Sequence, residues 1–410
     1  MRSNKRIAAI LLMALILSAC GTPNEETVQH ISAEATVAEN EISVPSSDPM
    51  CKRVQQRCEE IASFYHDLYL SADKTEPRSQ WDTPVLSQGS MDAIEKRLMD
   101  EGLDIMDTYG TYPGYLTTAE NFRAFWDAVK RQEAAEQEVI SIQDSGILVY
   151  QLFTCQDGAA FVYIMRYPVD GREEPYYEKR EVLDWELTDK GNFYYRIYPA
   201  GDQHYADYSL IRLASPDLEL YDLTMKYIWA GGYIGANLFL TDWTEDAWGD
   251  LSFNDLWEYL YYDYYGEQFR PDGYPYLREQ SCYAIPGAEF EKVVMPYFRI
   301  DLDTFRELAQ YNAEGGYYPW RQVETRDYVF LSYYTIEPEV TACQVNADGT
   351  ITLTVQALST DLKTDCLFAH EVTVRPLENG RFQYVGNKVT YQTEYGLPYS
   401  QPRLSWDETN

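Results

Sequence analysis

The sequence predicts an α+β chain of two modules, each a set of helices followed by a curved antiparallel β-meander of the cystatin-like or NTF2-like kind. Three observations predict it. Apolar residues at helical spacing give way to strand-length runs after Glu138 and again near Asp327. Short turns such as Gln156-Asp157-Gly158, Asp189-Lys190-Gly191, Asp348-Gly349 and Asn379-Gly380 join those runs. Helices first and strands second indicate α+β rather than a doubly wound parallel sheet. The modules fall at residues 51–213 and 218–405. The analogy is to a fold and implies no activity.

In the first module, Val54, Cys58, Ile61, Tyr65 and Leu68 recur at helical spacing, which predicts a helix over residues 51–71. A second is expected from Met91 to about Ile105 with Ser90 as N-cap. A third is expected from Thr118 to Gln137, because Thr117 and Glu120 have capping-box spacing. Strands follow at Ile147–Thr154, Ala159–Tyr167, Tyr176–Leu187, Asn192–Tyr198 and Tyr205–Leu213.

The second module repeats the order. Ser252 can cap a helix in which Phe253, Leu256, Trp257, Leu260 and Tyr264 share one face; Pro286 opens another that breaks near Pro296; Asp301 can cap a third. Strands are expected at Asp327–Ile336, Val340–Val345, Thr350–Leu358, Leu367–Val374 and Gln383–Tyr391.

Ahead of the modules, Arg2, Lys5 and Arg6 precede a mostly apolar run from Ile7 to Ala19. These 13 residues fall short of the ~20 that span a bilayer core and match a signal-peptide h-region. The run ends in Leu17-Ser18-Ala19-Cys20, which resembles a bacterial lipobox. That resemblance implies removal of residues 1–19 and a diacylglycerol thioether on Cys20. Residues 20–50 then carry the lipid and a flexible linker with six acidic groups and no basic or aromatic one. At ~5–6 Å × √n the linker reaches about 30 Å, which stands the body off the membrane. The expected location is the extracellular face of the cell membrane.

The chain has 410 residues and a formal net charge of -33. Without the leader, 30 basic and 66 acidic residues remain, and 60 of the acidic ones lie beyond the linker. The charge belongs to the folded surface and argues against nucleic acid as a partner, since phosphate contacts need clustered Lys and Arg.

Six cysteines remain after Cys20: Cys51, Cys58, Cys155, Cys282, Cys343 and Cys366. An exported chain with six invites a disulfide framework. Against it, Cys51 and Cys58 are ~10 Å apart along a helix, beyond disulfide reach. A two-residue turn at Asp348-Gly349 sets Cys343 opposite Thr354 and Cys366 opposite Ala357, on opposite faces of the sheet. Buried, reduced thiols are the expectation.

No motif identifies a catalytic centre, a cofactor or a metal. The four His residues lie in separate elements, and there is no HExxH, CxxC, GxSxG, P-loop or GxGxxG pattern. Ser71-Ala72-Asp73-Lys74 matches SxxK as a chance helix end. Asp242, Glu245, Asp246 and Asp250, interleaved with Trp243 and Trp248, suit either a solvated loop or loose Ca²⁺ binding.

Aromatics are the stronger lead, with 37 tyrosines in the chain. By the 100° rule Tyr262 points away from the buried face of its helix, with Tyr259 and Tyr265 on the flanks. Tyr317, Tyr318 and Trp320 cluster in an expected loop. These six are the candidate ligand contacts, because exposed Tyr and Trp suit glycan or protein recognition.

The stretch from Gly232-Tyr233 through Asn237-Leu238-Phe239 to Asp242-Trp243, then Ala284-Ile285-Pro286, Phe290-Glu291 and Tyr297-Phe298, resembles uncharacterised lipoproteins of Gram-positive, clostridial-type bacteria. The resemblance implies a lipid-anchored surface protein and transfers no catalytic residue. The expectation is a non-enzymatic lipoprotein that binds a ligand or partner. The alternatives are a glycan-acting extracellular hydrolase and a transporter-associated solute-binding lipoprotein.

Overall fold

The computed structural model describes residues 48–74, 85–107, 114–171, 173–198, 208–323, 335–398 and 401–405. The chain is α+β with curved antiparallel sheets. It divides into two compact units, one ending at Pro216 and one beginning at Asp217. Residues 7–19 and Cys20 lie outside the described residues, as do residues 205–207 of the strand expected at 205–213 and 327–334 of the one expected at 327–336. No helix among the described residues is long and apolar enough to cross a membrane.

The first unit opens on α1 (Pro49–Ser71), with Asp48 as N-cap accepting from Met50 N at 2.9 Å. Its inner face is Val54, Cys58, Ile61, Tyr65 and Tyr69. Ser71, from the SxxK match, ends α1 by donating to Asp67 O. Helix α2 (Gln88–Asp100) is capped by Ser87 rather than Ser90, which sits inside the first turn.

Helix α3 (Glu120–Lys130) is shorter than expected, and no capping box forms. Thr117 Oγ1 instead accepts from Ile105 N, and Thr118 bonds Asp104. The chain leaves the helix through Gln132 at φ 60° and enters β3 (Ala135–Ile142). The sequence conceals this strand because Val139 packs with one core and Ile140 and Ile142 with the other, so no period of two shows.

Strands β4 (Leu148–Gln156), β5 (Ala159–Tyr167), β6 (Tyr176–Leu187), β7 (Asn192–Ile197) and β8 (Tyr208–Arg212) follow. With β1 (Met106–Asp107) and β2 (Tyr115–Leu116) they form an eight-stranded sheet ordered β1-β2-β8-β7-β6-β5-β4-β3. A bridge between Ile105 and Ile140 links the two ends, so the sheet curls until they meet. Alternation on the strands feeds two cores. Leu152 and Tyr163 face α1, whereas Phe153 and Val162 face the Phe122–Phe193 aromatic core under α3.

The second unit begins with α4 (Leu218–Leu223), capped by Asp217, which runs into a π-helical turn at Thr224–Ile228. Gly232 then takes φ +62°, and the Tyr259 ring lies 2.2 Å from where a Cβ would stand. This admits the following loop onto a sheet ordered β13-β14-β15-β16-β9. Its strands are β9 (Trp243–Thr244), β13 (Ile336–Val345), β14 (Ile351–Ser359), β15 (Thr364–Pro376) and β16 (Phe382–Gln392).

A buried relay pins the loop. His370 Nδ1 donates to Asn387 Oδ1 and Nε2 accepts from Tyr233 Oη, both at 2.7 Å. Burial pulls the imidazole down to about 4, so it is neutral and fits this tautomer.

The β13–β14 turn is one residue longer than expected, with Asn346 N bonded to Thr350 O, and Cys343 pairs with Leu353 rather than Thr354. A second shift near Ala357 sets Phe368, not Cys366, opposite Ala357. All six cysteines are free. Only Cys58 and Cys282 are buried, Cys343 is exposed, and the other three are half-buried, which corrects the expectation of buried thiols.

Three helices and a small sheet complete this unit. A 3₁₀ turn at Asn254–Leu256 precedes α5 (Trp257–Tyr265), so Ser252 lies two residues ahead of helical structure and does not cap it. Helix α6 (Gly287–Val294) tightens at Pro296, and α7 (Leu302–Leu308) is capped by Asp301 accepting from Thr304 N. The sheet is β10 (Tyr276–Leu277), β11 (Cys282–Pro286) and β12 (Tyr317–Trp320). The expected loop at Tyr317–Trp320 is therefore a strand. Pro319 hides it, and β12 tolerates proline because it lies at the sheet edge.

Candidate binding surface

Helix α5 reads Trp-Glu-Tyr-Leu-Tyr-Tyr-Asp-Tyr-Tyr. Trp257 and Leu260 are buried; Tyr261 and Tyr264, on the same face, are half-buried against that core, and Tyr265 is exposed on its flank. Rings from neighbouring segments continue the line. Tyr264 meets Tyr265 at 4.8 Å, Tyr265 meets Tyr261 at 4.6 Å, and Tyr261 meets Phe269 at 5.2 Å. Phe269 contacts Tyr274 at 5.2 Å and Trp320 at 4.9 Å; Trp320 leads to Tyr283 at 5.8 Å, and Tyr283 to Tyr276 at 4.9 Å. Edge and tilted contacts at such separations are favourable ring geometries. Tyr265 is 39% exposed and Tyr276 45%, whereas Trp320 forms the floor.

The ridge has a rigid base. Trp257 stacks on Phe290 at 5.2 Å and supports Tyr261 and Phe269. Phe290 in turn stacks on Tyr318 at 4.5 Å. Its polar rim is ordered. Trp320 Nε1 donates to Glu258 Oε2 at 2.6 Å, Tyr274 Oη to Glu289 Oε1 at 2.8 Å, and Lys292 Nζ to Tyr265 Oη at 3.1 Å. Burial first and Glu289 second push the Tyr274 phenol up, so it stays protonated and donating.

Glu258 also anchors the base. It pairs with Arg403, whose side chain is wholly buried. Arg403 Nε donates to Gly235 O at 2.6 Å, Nη1 to Arg321 O at 3.1 Å and Nη2 to Asp255 O at 3.2 Å. Its backbone N donates to Asp255 Oδ2 at 3.1 Å.

Of the six candidate contacts, the fold brings two into the ridge: Tyr265 on its surface and Trp320 beneath it. Tyr259 folds inward and donates to Ile234 O at 2.6 Å. Tyr262 is half-buried and joins no ring pair among the described residues. Tyr317 covers Gly315 and accepts from Asn312 Nδ2, and Tyr318 is fully buried with its hydroxyl on Glu291. Sequence spacing misses Tyr261, Tyr264, Phe269, Tyr274, Tyr276 and Tyr283. The one usable signal is the density of rings between residues 257 and 283.

The first unit has a groove of about 470 Å³ beside α3 and β3, lined by Phe125, Asn121, Asp104, Glu136 and Glu138. Its carboxylates are engaged. Asp104 accepts from Asn121 at 2.7 Å, Glu136 from Arg53 at 2.9 Å and Glu138 from Arg57 at 2.8 Å. Two carboxylates of the acidic run at 242–250 are engaged too. Glu245 takes Arg375 at 3.0 Å, Asp242 accepts from Val389 N, and Trp243 stacks on Trp248. Among the described residues no group of His, Cys, Asp or Glu is arranged to hold a metal ion.

No curated protein and no solved structure matches the chain. Residues 51–403 match DUF6070, a family of unknown function, and the chain belongs to that family.

Proposed function

We propose that the chain is a membrane-anchored surface lipoprotein whose second unit binds a glycan on the aromatic ridge. The carrying observation is the unbroken path of rings from Tyr264 to Tyr276 with an ordered polar rim. A pyranose has a face of C–H bonds that lies flat on an aromatic ring and hydroxyls at its edge that pair with polar groups. A surface offering both at low entropy cost suits it. The anchor rests on the lipobox at Cys20, and the acidic linker supports presentation away from the membrane. The two units are read as two modules, at 51–213 and 218–405, of the cystatin-like or NTF2-like kind.

The alternatives have less support. A glycoside hydrolase needs two carboxyls about 5–10 Å apart beside the sugar, whereas Glu258 and Glu289 at the ridge are held by Arg403, Trp320 and Tyr274. Solute-binding lobes use alternating βαβ units, whereas the long strand pairs here are antiparallel.

In a Cys20→Ala full-length protein, neutral hexasaccharides are expected to raise Tm with concentration, as native-state ligands do. Replacing Tyr265 and Tyr276 with Ala should weaken that binding roughly tenfold or more, the scale of one interface anchor. A silent glycan panel, or unchanged affinity in the double variant, rejects the ridge as a glycan site. The same Cys20→Ala change is expected to move the protein from the membrane fraction to the soluble one. Undiminished membrane retention rejects the anchor.

A further inference from the structure

We infer that the glycan carries a uronic acid, and that Lys292 and Arg381 read its carboxylate at the Tyr264 end of the ridge. The inference rests on the glycan reading above.

In a chain with twice as many acidic as basic groups, this end of the ridge is locally basic. The Lys292 ammonium lies 5.6 Å from the Tyr264 ring centroid and 5.2 Å from that of Tyr265. The Arg381 guanidinium lies 5.0 Å from the Tyr264 centroid. Both side chains are exposed, and neither forms an ion pair among the described residues. Carboxylates of this region are hydrogen-bonded elsewhere. Asp263 accepts from Tyr297 Oη at 2.6 Å and Glu289 from Tyr274 Oη.

Two cations held over one ring, neither in an ion pair among the described residues, form a ready seat for an anion. A guanidinium pairs with a carboxylate through parallel N–H bonds, and an ammonium adds a point charge. Net negative charge does not cancel this attraction, because at physiological ionic strength charges more than about 8 Å away are largely screened. The ring spacing selects the acid. A sugar on Tyr265 has its edge one ring separation, 4.8 Å, from Tyr264. A carboxylate bonded directly to the pyranose reaches that seat, whereas an acid on a longer linker overshoots it.

The test titrates full-length Cys20→Ala protein with hexagalacturonate and with its methyl ester, which exchanges each negative charge for a methyl group on the same sugar backbone. Hexagalacturonate is expected to bind at least tenfold more tightly. Adding Lys292→Gln and Arg381→Gln should remove that difference, bringing acid and ester to within twofold of each other in the variant, with Tm unchanged, since both side chains are exposed. Equal affinity for acid and ester in the parent overturns the inference and leaves the glycan reading standing. So does tighter binding of a sulfated neutral-sugar hexamer than of the uronate. If neither acid nor ester binds, and neutral hexasaccharides also fail, both readings fall together.

Discussion

Replacing Arg403 with Met is expected to destabilise the second unit by about 3–5 kcal/mol, the scale for removing one partner of a buried ion pair. Methionine fills the space but leaves Glu258 Oε1 and the carbonyls of Gly235, Asp255 and Arg321 without their donor, and the Asp255 carboxylate without its countercharge. Lysine should recover only part of the loss, because one ammonium cannot reproduce the fork. The loss also depends on pH. Burial lifts the Asp255 carboxyl from its ordinary 3.8 to about 6, even with Arg403 opposing it. A raised folded pKa means a contribution that is present at low pH and lost as pH rises through 6. Without the Arg403 guanidinium the largest offset to the burial is gone, so the variant should fall further below the parent at pH 8 than at pH 5. Denaturant midpoints at the two pH values check this. Equal losses, or a change under 1 kcal/mol, contradict it.

Replacing Trp257 with Ala should cost about 3–5 kcal/mol, the range for deleting a large aromatic from a core. Trp257 is 0% exposed, and its loss leaves Phe290, Tyr261 and Phe269 facing a cavity. Near-UV circular dichroism from the ridge should weaken, and glycan affinity should fall in the fraction still folded. Trp257→Phe keeps a ring on Phe290 and removes an indole N–H that has no hydrogen-bond partner. It should therefore stay within about 1.5 kcal/mol of the parent and keep most of the binding. Equal effects of the two substitutions would show that the ridge does not depend on this support.

Much of the fold is legible because local chemistry and tertiary role agree. Helix α1 follows from Val54, Cys58, Ile61 and Tyr65 on one face. Strands β5 and β6 appear to the residue because Gly158, Pro168 and Gly191 punctuate their surroundings. Disagreement hides the rest. Strand β3 is buried on both faces, so it lacks alternation. Strand β12 contains Pro319, which reads as a loop until the edge position is known. Registers move at Thr341 and near Leu358, where bulges add residues that no turn motif announces.

The ridge is less legible for a similar reason. Tyr276 and Tyr283 meet through the register of a two-residue strand, and Phe269 arrives from a connecting segment. Helical spacing on α5 therefore finds Tyr265 but not its neighbours. Arg403 bears the commonest surface chemistry near the end of the chain, and only its contacts show that it lies in the core.

The most direct test of the glycan-binding account is hydrogen exchange on the full-length Cys20→Ala protein with and without saturating hexasaccharide. The account predicts added protection in α5 and across residues 274–284, with the groove segments at 121–138 unchanged. Protection confined to residues 121–138, with α5 unaffected, would contradict it.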